Sequence, residues 1–343
     1  MAYSATVLDE FRMNYDKQNL DHYTNRLSMY GAYATYLKDT PNLLPGGQEL
    51  VNERRLAART VSIPIINKTA ITTNAVRACT AKTNQGTSAY VTPTWTTVEA
   101  GFMMVPSEFE GNNISYQQAF DKLLLQAQSA FLLDADTDAV TDLIASLNAY
   151  IGAEDNPFTV TANYIQVPLA YHDEFFSMLD AILMADDLPY DNVNIVSSPR
   201  GKDIVNYYGN QGSGNSANTA FQFGGKNFAY SNRVTISTAY HSTAYGMPVG
   251  SLAYLSWVDA DSRAGHKSGD GKEWSTVELP LLGHKVGMLY QSTCGDKSSL
   301  FTGGQATLVE SFSFNFDRSF VTAADAIATP NAGVIYGIEF LKT

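Results

Sequence analysis

Residues 115–147 read SYQQAFDKLLLQAQSAFLLDADTDAVTDLIASL, and this run decides the architecture. Ser115 followed three places later by Gln118 forms a capping box, with Asn113 as an alternative cap. Behind it Tyr116, Phe120, Leu123, Leu124, Ala127, Phe131, Leu132, Val140, Leu143, Ile144 and Leu147 recur at three- and four-residue spacing, the period of one helix face. Asp121, Asp134, Asp136, Asp138 and Asp142 decorate the remainder, and Gly152 marks the stop. A helix over 113–149 would be ~50 Å long, several times the usual globular helix of about a dozen residues. Aspartate is a weak helix former, so a second reading breaks the run into two helices near Asp134 to Asp138. The single long helix is the preferred reading.

Upstream, residues 58–108 form a β region. Thr60-Val-Ser-Ile-Pro-Ile-Ile alternates polar and apolar residues, and Tyr90-Val-Thr-Pro-Thr-Trp-Thr-Thr-Val is rich in β-branched and aromatic ones. The polar stretch Ala81-Lys-Thr-Asn-Gln-Gly-Thr-Ser lies between them, so the region predicts a long hairpin with a polar tip. Pro64 and Pro93 argue against central-strand positions. A two-stranded hairpin is marginal in water without a neighbour to lie on, which is the first physical hint of assembly. Residues 1 to about 50 carry Tyr23, Leu27, Tyr30, Tyr33, Tyr36 and Leu37, partly at helical spacing, before Pro41, Pro45, Gly46 and Gly47 break the chain. Such a segment docks on another surface or packs as a short helix on its own domain.

Downstream, residues 157–343 predict an α+β domain. Tyr164-Ile-Gln-Val-Pro is a short strand. His172 to Ala185 is an amphipathic helix carrying Phe175, Phe176, Leu179, Ile182 and Leu183. Asn192 to Ser198 is a buried strand stopped by Pro199, and Gly201 to Tyr208 is a short helix. Gln211 to Asn218 and Asp259 to Trp274 read as exposed loops. Further strands are expected at Phe228 to Ser237, Ser251 to Val258, Lys285 to Thr293, Thr307 to Asp317 and Gly333 to Leu341.

Composition narrows the function. Hydrophobic residues are 45% of 343, enough for a sizeable core, while charged residues are only 16%, below the usual quarter. With 20 Tyr and 17 Phe the surface is neutral and aromatic, a character that suits later burial by a partner and is shared by β-rich extracellular domains. The net charge of −12, with Arg54, Arg55 and Arg59 beside Glu49 and Glu53, gives no basic stripe for reading nucleic acid. Cys79 and Cys294 are too few for a disulfide framework. The opening has no charged-then-apolar signal pattern, and no apolar run is long enough to span a membrane. The expectation is a reducing cytosol, or a particle assembled there.

The search for chemistry returns nothing specific. His22, His172, His241, His266 and His284 fall in no metal-ligand spacing. Gly303-Gly304 lacks a following G-K-[ST], Gly212-x-Gly214 lacks the dinucleotide-binding context, and Ser197-Ser198 lacks the nucleophile-elbow glycines. Asp186-Asp187 reads as a helix end before Pro189. No catalytic residue, cofactor or metal is expected.

In order, then, the chain has a docking N-terminal arm, a long polar-tipped hairpin, a long helix and a mixed domain. That order, over nearly the whole chain, resembles the HK97-type major capsid protein of tailed phages. The resemblance implies an α+β fold with an N-terminal arm at 1–57, an extended hairpin (the E-loop) at 58–108, and the peripheral-domain spine helix at 109–156. A mostly axial domain follows at 157–304, and closing strands at 305–343 return to the peripheral domain. It implies a structural subunit forming hexamers and pentamers of an icosahedral shell, with arm and E-loop residues Tyr23, Tyr30, Tyr33, Tyr90, Val91 and Trp95 at contacts between subunits. Partners would be further copies of the chain, packaged DNA held without sequence recognition, a separate scaffold protein, and portal and minor or decoration proteins. No membrane is involved, and the location would be the virion, assembled in the host cytoplasm. Two features depart from the prototype: the hairpin begins near residue 60, leaving no room for a cleavable scaffold region, and Lys68 has no basis as a cross-linking lysine. An encapsulin shell and a phage tail tube or sheath subunit are the other structural readings, and a secreted β-rich hydrolase is the enzymatic one.

Overall fold

A computed structural model describes residues 8, 10, 11, 29–46, 63–66, 88–110, 114–148, 157–172, 174–185, 188–212, 225–259, 265, 267, 271–279, 281–296, 306–325 and 332–342. In chain order the helices are α1 (Gly31–Leu43), α2 (Tyr116–Ala145), α3 (Phe175–Ala185) and α4 (Gly201–Gly212). The strands are β1 (Ile63–Ile66), β2 (Ser88–Val91), β3 (Thr96–Met104), β4 (Thr159–Thr161), β5 (Tyr164–Val167), β6 (Val193–Ser197), β7 (Lys226–Tyr230) and β8 (Tyr240–Pro248). They continue with β9 (Leu252–Trp257), β10 (Lys272–Leu279), β11 (His284–Asp296), β12 (Ala306–Thr322), β13 (Ala324–Asp325), β14 (Ala332–Gly333) and β15 (Tyr336–Leu341).

α2 is one continuous helix of 30 residues. The capping box closes reciprocally: Ser115 N donates to Gln118 Oε1 at 3.1 Å, and Gln118 N donates to Ser115 Oγ at 3.2 Å. This satisfies two of the amide donors that a helix start leaves without intrahelical partners. The helix ends at Ala145, short of the expected 149, because Leu147 forms a bridge to Ile335 and Asn148 N donates to Ile335 O at 2.7 Å. Sheet-like pairing there takes the backbone groups that another helical turn would need.

The chain divides into two compact units. Unit 1 comprises Met1–Leu27, Trp95–Ala135 and Ser256–Ser319; unit 2 comprises Ser28–Thr94, Asp136–Leu255 and Phe320–Thr343. In unit 1 the strands run β10-β11-β12-β3, antiparallel throughout. Alternate residues of β12, Phe312, Phe314 and Phe316, point to one face and are all buried. They meet the apolar side of α2, with Phe120 5.0 Å from Phe312 and Phe131 5.2 Å from Phe316, ring centre to ring centre. Burying a side chain of that size is worth roughly 1.5–3 kcal/mol, so this aromatic ladder is the main cohesion of the unit.

In unit 2 a mixed sheet runs β4-β5-β15-β8-β6-β7, with β15 parallel to β5 and β6 parallel to β7. α3 lies on one face. Its five expected apolar residues, Phe175, Phe176, Leu179, Ile182 and Leu183, join Ile165, Val193, Ile195, Ile338 and Phe340 in one core. Gly246 leaves room for this: a Cβ there would stand 3.3 Å from Leu179 Cδ2.

Several expectations shift. β2 and β3 are separate strands in different units, divided at Thr92–Trp95 around Pro93, whose missing N–H suits the break. Residues 240–248, not expected as a strand, form β8, and β10 begins inside the expected 259–274 loop. The sequence reading divides the chain at 304/305. By compactness residues 256–319 group in unit 1, and β15 belongs to unit 2. The loop expected at 213–218 lies outside the described residues.

Candidate assembly elements

The hairpin is the element whose sequence most needs a neighbour. β1 and β2 pair antiparallel, Ile63 opposite Val91 and Ile66 opposite Ser88, and make a sheet of two strands among the described residues. Pro64 sits opposite Tyr90 and contributes no amide donor. Most of the polar tip, residues 81–87, lies outside the described residues, and Ser88 already belongs to β2. Tyr90 and Val91 are placed in β2 by their backbone. Trp95 is half-buried and opens the part of the chain that belongs to unit 1. Tyr23 and Cys79 lie outside the described residues.

Tyr30 and Tyr33 are buried within unit 2 itself, at 8% and 0% exposure. Tyr33 stacks edge-on against Tyr254, ring centres 5.1 Å apart, and Tyr30 bridges Ser231. A ring already buried in its own chain leaves little area for another subunit. α1 is therefore a fixed part of unit 2, and its seat is polar. Asp136, from the last part of α2, accepts from Tyr33 N at 3.0 Å and from Ser231 Oγ at 2.5 Å. Tyr36, fully buried, donates its hydroxyl to Asp142 at 2.7 Å. Asp39 accepts from the amides of Gly250 and Leu252 at 2.8 and 2.9 Å. Burial pushes the Asp136 and Asp142 carboxyls up from the ordinary aspartate range, and the hydrogen bonds from Ser231 and Tyr36 act against that rise. The sequence reading assigned these aspartates to the outer face of the helix and missed the anchor. The signal was present in their number: aspartate is costly inside a helix unless it has a task.

The sheet of unit 1 has one face on α2. On the other face a groove of about 450 Å³ is lined by Glu99, Gly101, Met103, Leu289, Ser311 and Ser313, and Met103 is 59% exposed. The small residues make its floor shallow and flat. A second groove, of about 530 Å³, lies in unit 2 beside β7, where Asn227 and Asn194 already pair with one another at 3.2 Å.

The residues considered for chemistry are built into the fold. Ser197 Oγ donates to the Thr243 carbonyl at 3.4 Å, and Thr243 N donates to Ser198 Oγ at 3.4 Å, so both serines tie the end of β6 to β8. His172 is buried edge-on to Phe340 at 5.0 Å, with His241 6.2 Å away. Among the described residues no group of three or more His, Cys, Asp or Glu side chains is placed to hold a metal ion. Cys294 is exposed on β11. Among the described residues no helix is long and apolar enough to cross a membrane. His22, His266, Asp186, Asp187, Gly214, Gly303 and Gly304 lie outside the described residues.

No family model matches the chain, and no curated protein matches it. Solved structures do. A structure from Mycobacterium phage Che8 superposes with a TM-score of 0.50 at 10% identity, covering 90% of this chain and 90% of that one. The chain has the HK97-like capsid fold. A structure from Mycobacterium phage Bobi aligns at a TM-score of 0.48 and 10% identity over 86% of this chain and 91% of the other. The capsid of Ralstonia phage GP4 aligns at 0.48 and 10% over 84% and 85%.

Proposed function

We propose that the chain is a structural subunit of a tailed-phage capsid, assembling into hexamers and pentamers that enclose double-stranded DNA. The observation that carries this reading is the HK97-like fold, shared over 90% of the chain with the Che8 phage structure. In this reading unit 1 is the peripheral domain and the sheet of unit 2 the axial domain. The β1–β2 hairpin lies across a neighbouring subunit through Tyr90 and Val91, with Trp95 beyond the end of β2 as a further contact, while Tyr30 and Tyr33 serve assembly indirectly by fixing α1 on its own subunit. The role is structural rather than enzymatic and uses no cofactor. The net charge of −12 suits a wall that contains DNA without adhering to it. Scaffold, portal and minor or decoration proteins are the further partners, and the protein resides in the virion after assembly in the host cytoplasm.

The test is to express the chain and image it by negative-stain electron microscopy beside sedimentation analysis. Closed shells or capsomer rings are expected. A sharp monomer boundary at high concentration in several salts would overturn the reading. Tubes would reassign the chain to a tail, and shells filled by an enzyme would make it a nanocompartment.

A further inference from the structure

We draw no further inference here: the strongest candidate, the open face of the unit 1 sheet around Met103, Leu289 and Ser313, carries nothing because nothing in the structure shows what covers it.

Discussion

Gly31 lies flush against the backbone of Tyr230: a Cβ placed on Gly31 would stand 2.3 Å from the Tyr230 carbonyl oxygen and 2.5 Å from its nitrogen. Real Cβ atoms do not approach backbone so closely, and backbone cannot swing aside as a long side chain can. The first turn of α1 is thus seated on the end of β7 by the lack of one methyl group.

Gly31→Ala should therefore unseat α1 despite alanine's higher helix propensity. Displacing the helix strains the Tyr33 and Tyr36 contacts together, and overpacking of this kind costs about 1–3 kcal/mol. Thermal unfolding followed by circular dichroism is the check, with a lowered midpoint expected. An unchanged or raised midpoint would mean that the close approach does not hold α1 in place.

Gln128 should be replaceable at a gain. It is 0% exposed in the middle of α2, and among the described residues neither its Oε1 nor its Nε2 has a hydrogen-bond partner. A buried amide without partners carries its desolvation cost uncompensated, about 1–3 kcal/mol. Gln128→Met keeps the length and removes the polar atoms, so chemical denaturation should show stability raised by ~1 kcal/mol. A loss of stability would show that the amide is satisfied in solution by a bound water.

Stability should fall between pH 6.5 and pH 4 through His284. Desolvation of its half-buried ring beside Phe316, opposed by the hydrogen bond with the Lys285 carbonyl and aided by the nearby Arg318 cation, pulls its pKa down from 6.5 to about 4. The folded state then binds fewer protons than the unfolded one in that window. Its stabilising effect is complete above the unfolded pKa and is lost as pH falls toward the folded one. Asp136 and Asp142 act in the opposite sense, since their raised values favour the folded state as pH drops. His284→Phe should remove the histidine contribution, leaving a flatter curve or one that rises into acid. If the mutant's pH profile between 6.5 and 4 overlays that of the parent, His284 is not the titrating group.

On the proposed reading, removing residues 81–87 should leave the chain folded and weaken the shell. The segment is almost wholly polar, so little apolar burial is lost, while β1 and β2 keep their register from Ile63 to Val91. Association carries a fixed entropic cost, so a modest loss repeated at each contact shifts the balance toward free capsomers. Native-like circular dichroism with few or fragile particles is the expected pair of results. Full particle yield with unchanged heat resistance would remove the clamp role from the hairpin.

What the sequence disclosed followed from local rules. The Ser115–Gln118 box, the apolar face of α3 and the buried strand before Pro199 all depend on neighbours within a few residues, and all appear in the structure. β8 was missed because seven of its nine residues are buried in a run, including Ser242, Ala244 and Gly246, so it shows neither alternation nor a β-branched signature. Asp136 was misplaced because its partners, Tyr33 and Ser231, lie 103 and 95 residues away. No spacing within α2 could reveal that Asp136 faces Tyr33 and Ser231. The grooves were invisible for the same reason: strand order assembles the one in unit 1, and the one in unit 2 joins α1 residues such as Thr35 and Asp39 to β6 and β7.

The position of β15 makes unit 2 wait for residues 336–341. β15 lies inside its sheet, parallel to β5 and antiparallel to β8. Until residues 336–341 leave the ribosome, β5 and β8 each keep an open edge, and Ile338 and Phe340 are missing from the core that receives α3. Parallel pairing between strands so far apart in sequence forms late, and unpaired edges invite wrong partners. A chain lacking residues 336–341 therefore cannot complete unit 2, and its unpaired edges leave it open to aggregation and degradation.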